Sequence, residues 1–151
     1  MKAVIQRVSS ASVSVENKTV GEIKKGYLIL LGVGQNDTKS DAEFLAKKIV
    51  GLRIFEDENG KTNLSLNDIG GDVLSVSQFT LYADCKHGRR PSFIYSGSPE
   101  LANELYIYFN EQIEGLIEKP VQKGIFGADM KVSLLNDGPF TILLDTEELK
   151  K

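Results

Sequence analysis

Residue types that commonly build catalytic, metal and cross-linked sites are scarce in this chain. Its 151 residues include one cysteine, Cys85, one histidine, His87, and no tryptophan. A lone cysteine cannot form an intramolecular disulfide, and a structural zinc site needs about four Cys or His ligands. We therefore expect a fold that is stable without cross-links and a function that needs no metal or other cofactor.

Long hydrophobic runs are also missing. The longest apolar stretch, 26–34, is much shorter than the roughly 18 residues that cross a bilayer. The opening MKAVIQRV lacks the apolar segment of a secretory signal peptide. We therefore expect a cytoplasmic protein that makes no membrane contact.

Positive charge is concentrated at one point of an acidic chain. The net charge is −3, yet KHGRRP at Lys86–Pro91 carries three permanent positive charges within six residues. An acidic chain does not attract polyanions as a whole, so any contact with nucleic acid has to come from such a cluster. The segment is either a solvated loop or a phosphate-binding site, with Lys86, Arg89 and Arg90 as the contacts.

What is present indicates a mixed, β-rich α/β fold. Alternating apolar residues predict antiparallel strands in 2–23, and the continuous apolar run at 26–34 predicts a central strand buried on both faces. Helical spacing predicts one helix over 38–52 and a second over 98–116. With at least six strands, this pattern favours a single domain over 1–151, in which two helices cover one side of a large sheet system.

The segment 72–83, DVLSVSQFTLYA, reads as one long strand whose alternation fails midway. Leu74 and Val76 are followed on the same face by Gln78 and Thr80. A buried polar side chain without a partner costs about 1–3 kcal/mol, so this strand either emerges into solvent or lines a site.

A covalent nucleophile is hard to build from these residues. Ser77, Thr80 and Cys85 are the candidates, and His87 is the only imidazole that could activate one of them. Cys85 and His87 could face the same side of an extended segment, but one pair in a basic loop is weak support for catalysis.

A second unusual segment, NDGPFT at Asn136–Thr141, lies between two apolar runs. Asp-Gly alone is a hairpin signal, and a tight turn is the simplest interpretation. Pro139 removes a backbone donor there, and about 5–6% of X–Pro bonds in folded proteins are cis. The segment is therefore either a turn among up to three C-terminal strands, or a rigid cis Gly-Pro element directed at a site.

Five segments taken together, MKAVIQRVSSASVSV, SQFTL at 77–81, GRRPSF at 88–93, FGADM at 126–130 and NDGPFT at 136–141, resemble the D-aminoacyl-tRNA deacylase family. Their order and spacing make the resemblance specific over essentially the whole chain. It implies facing β-layers flanked by helices, and a homodimer with active sites at the subunit interface. It also implies hydrolysis of the ester between a D-amino acid and the terminal ribose of tRNA, with glycyl-tRNA as a second substrate.

The resemblance implies a catalytic role for Ser77, Gln78, Phe79 and Thr80. Backbone N–H groups near Gln78 and Phe79 would stabilise the tetrahedral oxyanion, and Thr80 would contribute a hydroxyl. The sequence leaves open whether the protein or the neighbouring ribose hydroxyl of the substrate activates the attacking water.

The resemblance also gives the Gly-Pro step a purpose. Gly138 and Pro139 would form a cis step that enters the neighbouring subunit's pocket as a wall against L substituents. Arg7 would hold this step in orientation, since a guanidinium fork suits backbone carbonyls. One alternative of another class stays open, a non-catalytic nucleotide or RNA-binding module that uses the Lys86–Pro91 loop.

Overall fold

One curled sheet and two long helices make up most of the chain. The computed structural model describes residues Met1–Lys151, and no helix in it is both long and apolar enough to span a bilayer. In chain order the elements are β1 (Lys2–Val15), β2 (Lys18–Ile23), β3 (Gly26–Gly32), α1 (Lys39–Gly51), β4 (Phe55–Glu56), β5 (Thr62–Leu64), β6 (Asp72–Ser77), a 3-10 turn (Phe79–Tyr82), α2 (Pro99–Ile117), β7 (Gln122–Lys123), β8 (Lys131–Asp145) and α3 (Thr146–Leu149).

The long strand β1 organises the sheet. One edge of β1 pairs antiparallel with β3 along its first half and with β2 along its second half, and the other edge pairs antiparallel with β8. From β3 the sheet continues through parallel pairs to β6 and β7. Because β2 also approaches β6 and β7, the sheet curls into a nearly closed, barrel-like form.

Apolar side chains pack on both faces of this sheet. On the outer face Tyr27 and Ile29 belong to the core formed with α1 and α2. Inside the curl, Leu28 packs with Leu74 and other residues of a second, smaller core. A strand with both faces buried reads as a continuous apolar run, so the central position predicted for β3 is confirmed.

The mixed fold class and both helices are confirmed. At the start of α1 the Thr38 N–H donates to the Asp41 carboxylate at 2.8 Å, which closes the predicted capping box. At the start of α2 the Ser98 hydroxyl accepts from the Leu101 N–H at 3.2 Å. Both helices pack on the same face of the sheet, as the sequence indicates.

One strand prediction is wrong. The segment 72–83 is not one long strand, because β6 ends at Ser77 and a 3-10 turn follows. Of the two interpretations of 136–141, the hairpin turn is excluded, because the segment lies within a single strand, β8. The 14-residue β1 offers a pairing edge long enough for the whole of β8, so the chain does not need to reverse there.

Candidate active site

A cavity of about 550 Å³ lies beyond the carboxyl ends of β3 and β6. Ser77, Gln78 and Phe79 line it where β6 passes into the 3-10 turn. Its other walls come from the start of α2 and from the segment 126–130. Two motifs that are far apart in the sequence, SQF and FGADM, therefore meet in one cavity.

The cavity walls are poor in ionisable groups. Asp129 is the one titratable side chain among the lining residues. Its carboxylate lies 3.1 Å from the Lys131 ammonium, and the Asp129 side chain is 86% exposed. The cavity thus offers fixed dipoles and hydroxyl groups, but no buried pair of acid and base.

Backbone amides at the end of β6 differ in their availability. The Gln78 N–H donates to the Leu31 carbonyl at 2.7 Å and continues the parallel ladder between β3 and β6. Among the backbone hydrogen bonds of the turns, loops and caps, the Phe79 N–H is not a donor. An amide at the rim of a cavity is the kind of donor that can stabilise an oxyanion.

The Thr80 hydroxyl lies beside the cavity and does not line it. Its only hydrogen-bond partner is the Gln78 side-chain amide, which donates to the Thr80 Oγ1. No histidine, lysine or carboxylate contacts the hydroxyl groups of Ser77 or Thr80. Neither side chain therefore has the adjacent base that a nucleophilic hydroxyl requires.

The segment 137–140 bulges out of β8. Gln6 pairs with Thr141 and Val8 pairs with Asn136, so four residues of β8 stand opposite Arg7 alone. The Gly138–Pro139 peptide bond is cis, and both residues are exposed. Neither residue lines the cavity of its own chain.

Arg7 holds this bulge from below. It is 6% exposed, and its Nε donates to the Asp137 carbonyl at 2.9 Å while its Nη1 donates to the Ile54 carbonyl at 2.6 Å. Its guanidinium also lies 4.7 Å from the centre of the Phe140 ring. Two carbonyls and an aromatic face thus compensate a buried charge that has no acidic partner.

The bulge is also braced by its own side chains. The Asn136 Oδ1 accepts from the Phe140 N–H at 2.9 Å, and the Asn136 Nδ2 donates to the Thr141 hydroxyl at 3.0 Å. A methyl group added at Gly138 would lie 3.0 Å from the Arg7 Nη2. The backbone here approaches Arg7 more closely than a side chain would allow.

The basic cluster forms an exposed loop near the cavity. Asp84 and Ser92 exchange two backbone hydrogen bonds, of 2.7 and 2.9 Å, and so close the loop at its base. Lys86, Arg89 and Arg90 lie beyond this closure, and none of the ion pairs in the structure includes them.

Several lining residues were not singled out from the sequence. Val33 follows β3, while Gly97 and Pro99 lead into α2. The Gly97 N–H donates to the Val33 carbonyl at 2.8 Å and ties these two walls together. The one local sequence signal for these lining residues is GSP at 97–99, because a glycine there lets the backbone at the start of α2 approach a strand end closely.

Solved structures share this fold, a curled sheet with helices on one face. One solved structure, titled "Structural Analysis of a probable eukaryotic D-amino acid tRNA deacylase", has a TM-score of 0.83 at 18% identity and covers 95% of this chain and 97% of its own. Another, "c-Myc DNA Unwinding Element Binding Protein", has a TM-score of 0.90 at 41% identity over 96% of this chain and 98% of its own.

Sequence comparison then identifies the family. The model of the family described as D-Tyr-tRNA(Tyr) deacylase matches residues 4–145. A D-aminoacyl-tRNA deacylase of Thermosipho melanesiensis is 60% identical over 99% of both chains, and one of Geotalea daltonii is 61% identical over 97% of both. The chain belongs to the D-Tyr-tRNA(Tyr) deacylase family.

Proposed function

We propose that residues 1–151 form one domain that hydrolyses D-aminoacyl-tRNA to free tRNA and a D-amino acid, and so proofreads chirality in translation. The observation that carries the proposal is the single cavity lined by both SQF and FGADM, in a chain about 60% identical to D-aminoacyl-tRNA deacylases. Glycyl-tRNA is a second substrate, since glycine has no side chain to reject. The reaction takes place in the cytoplasm, where tRNA is charged.

The chemistry is direct attack of water on the ester carbonyl. The water oxygen bonds to the carbonyl carbon, the bond from that carbon to the ribose oxygen breaks, and the ribose oxygen takes up a proton. The Phe79 N–H, at the rim of the cavity, donates to the oxyanion, while Ser77 and Thr80 contribute hydroxyl groups that position the substrate. The lack of a base beside either hydroxyl supports water, rather than a side chain, as the nucleophile.

Selectivity for the D configuration comes from backbone rather than from side chains. An enzyme that accepts many D side chains has to recognise the arrangement of groups about the α-carbon. A rigid wall where an L side chain would project achieves this by repulsion. Gly138 and Pro139, held by Arg7 through the Asp137 carbonyl, are that wall.

The wall belongs to the cavity of a second copy of the chain, so the working form is a homodimer. Within one chain the Gly138–Pro139 step is exposed and does not line the cavity. The strand that carries it, β8, pairs only with β1 and exposes Leu135 and Leu143. An unpaired, apolar edge strand is a surface that proteins usually cover.

The tRNA backbone is held by Lys86, Arg89 and Arg90. These three cations project from a closed loop near the cavity and have no acidic partners. On a chain of net charge −3, they supply the local attraction for phosphate that the surface as a whole lacks.

Parallel assays with D-tyrosyl-tRNA and L-tyrosyl-tRNA test the proposed activity, with ester loss followed over time. We expect rapid loss of the D ester and no acceleration for the L ester. A protein that binds both and hydrolyses neither would instead be the non-catalytic nucleic-acid-binding module. The likeness to the structure named "c-Myc DNA Unwinding Element Binding Protein" is the observation that supports that second candidate.

Mixing two impaired variants tests the shared site. Gly138→Ala damages the wall, whereas Ala128→Trp fills the cavity with an indole. Random exchange of subunits makes about half of the dimers mixed, and one of the two sites in each mixed dimer has both halves native, so about a quarter of all sites should regain activity. Mixed dimers that form and stay inactive would rule out a site shared between copies.

A further inference from the structure

Three exposed apolar residues, Phe93, Ile94 and Tyr95, follow the basic loop directly and are not explained by the packing of the chain. They are 37%, 67% and 48% exposed. We call Phe93–Tyr95 the aromatic shelf. Solvent-exposed aromatic rings next to positive charge are the combination by which proteins bind single-stranded nucleic acid.

The shelf is held firmly against the cavity. The Tyr95 carbonyl accepts from the Gln35 N–H at 3.1 Å, and the Ser96 hydroxyl donates to the Phe79 carbonyl at 3.1 Å. The Phe93 ring packs edge-on against the Phe79 ring, with centroids 5.0 Å apart. Phe79 and Ser96 line the cavity, so the shelf adjoins the cavity through these two residues, whereas Tyr95 itself lines a separate pocket.

The basic loop comes just before the shelf in the sequence. Asp84 and Ser92 close that loop, so Lys86, Arg89 and Arg90 are presented just before Phe93. The chain therefore places in succession a set of free cations, exposed rings, and the wall of a cavity. A nucleic-acid strand whose last residue enters the cavity would lay its preceding bases and phosphates on these groups.

We propose that the aromatic shelf stacks the two unpaired nucleotides that precede the terminal adenosine of tRNA, while Lys86, Arg89 and Arg90 hold their phosphates. This inference rests on the proposed function, because it assigns the terminal aminoacyl-adenosine to the cavity. Stacking is tolerant of sequence, since every base has an aromatic face. All tRNAs end in the same unpaired CCA, so one shelf serves an enzyme that edits many tRNAs.

Binding of 5′-labelled RNA hairpins with a single-stranded ACCA end, measured by fluorescence anisotropy, tests the shelf. A second hairpin carries abasic sites at both C positions and keeps every phosphate. Tyr95→Leu should weaken binding of the intact hairpin by roughly 5- to 150-fold, the range for losing one base–aromatic stack. The abasic hairpin should bind weakly to begin with and respond little to Tyr95→Leu.

Three controls separate stacking from general apolar burial. Tyr95→Phe keeps the ring and should bind like the unmodified protein. Ile107→Ala removes an equally exposed apolar side chain from α2 and should also change nothing. Arg90→Ala should weaken both hairpins alike and flatten the logarithmic salt dependence by about 0.7.

The outcomes distinguish this inference from the proposed function. Unmodified protein that fails to hydrolyse D-tyrosyl-tRNA would contradict the function itself. Active protein whose Tyr95→Leu and Phe93→Leu variants keep both their KM and their hairpin affinity would overturn the shelf alone. Variants that change the oligomeric state in sedimentation would also overturn it, because the shelf would then be a contact between copies.

Discussion

Replacing Gly138 with alanine tests whether the bulge of β8 is a selectivity element or only a surface feature. The added methyl group would lie 3.0 Å from the Arg7 Nη2 and 3.1 Å from the Phe140 backbone nitrogen. The backbone φ of +139° at Gly138 is also one that L side chains rarely adopt, and such strain costs about 1–3 kcal/mol. Each kcal/mol lowers Tm by about 2–4 °C in a chain of this size, so we expect a fall of about 2–12 °C.

The expected loss of activity is separate from the loss of stability. A wall displaced by about 1 Å can lower turnover by about 100-fold, because the substrate is no longer held in its reactive arrangement. We therefore expect kcat/KM for D-tyrosyl-tRNA to fall about 10- to 100-fold at a temperature where the variant is fully folded.

Gly60→Ala is the matched control. Gly60 also has a positive φ, +75°, but nothing lies within 4 Å of its added methyl group. It should cost about 1–2 kcal/mol of stability through strain alone and leave turnover unchanged. A Gly138→Ala enzyme with unmodified kcat/KM and D-over-L selectivity, or a Gly60→Ala enzyme with the same loss, would refute the reasoning.

Five further substitutions separate the roles proposed for other residues. Arg89→Ala and Arg90→Ala should each flatten the logarithmic salt dependence of tRNA binding by a slope of about 0.7–0.9, and unchanged slopes would mean a merely solvated loop. Thr80→Val should retain most of its turnover, whereas a trapped aminoacyl-enzyme in mass spectrometry would identify a covalent nucleophile. Asp129→Asn should lower kcat less than tenfold, because a general base would account for about 100-fold or more. Arg7→Lys should lower D-over-L selectivity, since one ammonium cannot bond the two carbonyls as the planar guanidinium does. Unchanged selectivity would show that Arg7 does not position the wall.

Local patterns were enough to predict the elements with strong periodicity. Both helices follow from apolar spacing and from the capping residues Thr38 and Ser98, which act within a single turn. The central position of β3 follows from its continuous apolar run. These features depend on neighbours along the chain, and such neighbours can be read from a sequence.

The parts that the sequence left open or that were predicted wrongly depend on contacts between distant residues. NDGPFT has the residues of a tight turn, and the choice between turn and bulge was decided by β1, which pairs with β8 on both sides of the segment. The engagement of the Gln78 N–H in the sheet could not be read from the sequence either, since it depends on the Leu31 carbonyl, which is distant along the chain. Propensity describes what a segment favours alone, and pairing with a long partner strand overrides it.

The buried Arg7 explains how an exposed bulge can act as a rigid wall. Hydrogen bonds from a charged donor contribute about 1.5–3 kcal/mol each, and Arg7 makes two of them, one to the bulge at Asp137 and one to Ile54. Ile54 belongs to the main hydrophobic core, so Arg7 ties the bulge to the close-packed part of the molecule. A purely apolar contact could fill the same space, but it would not fix the direction of the Asp137 carbonyl. The proposed filter would discriminate by the position of backbone atoms and would need that direction fixed, and this requirement would account for burying a guanidinium where no acidic side chain pairs with it.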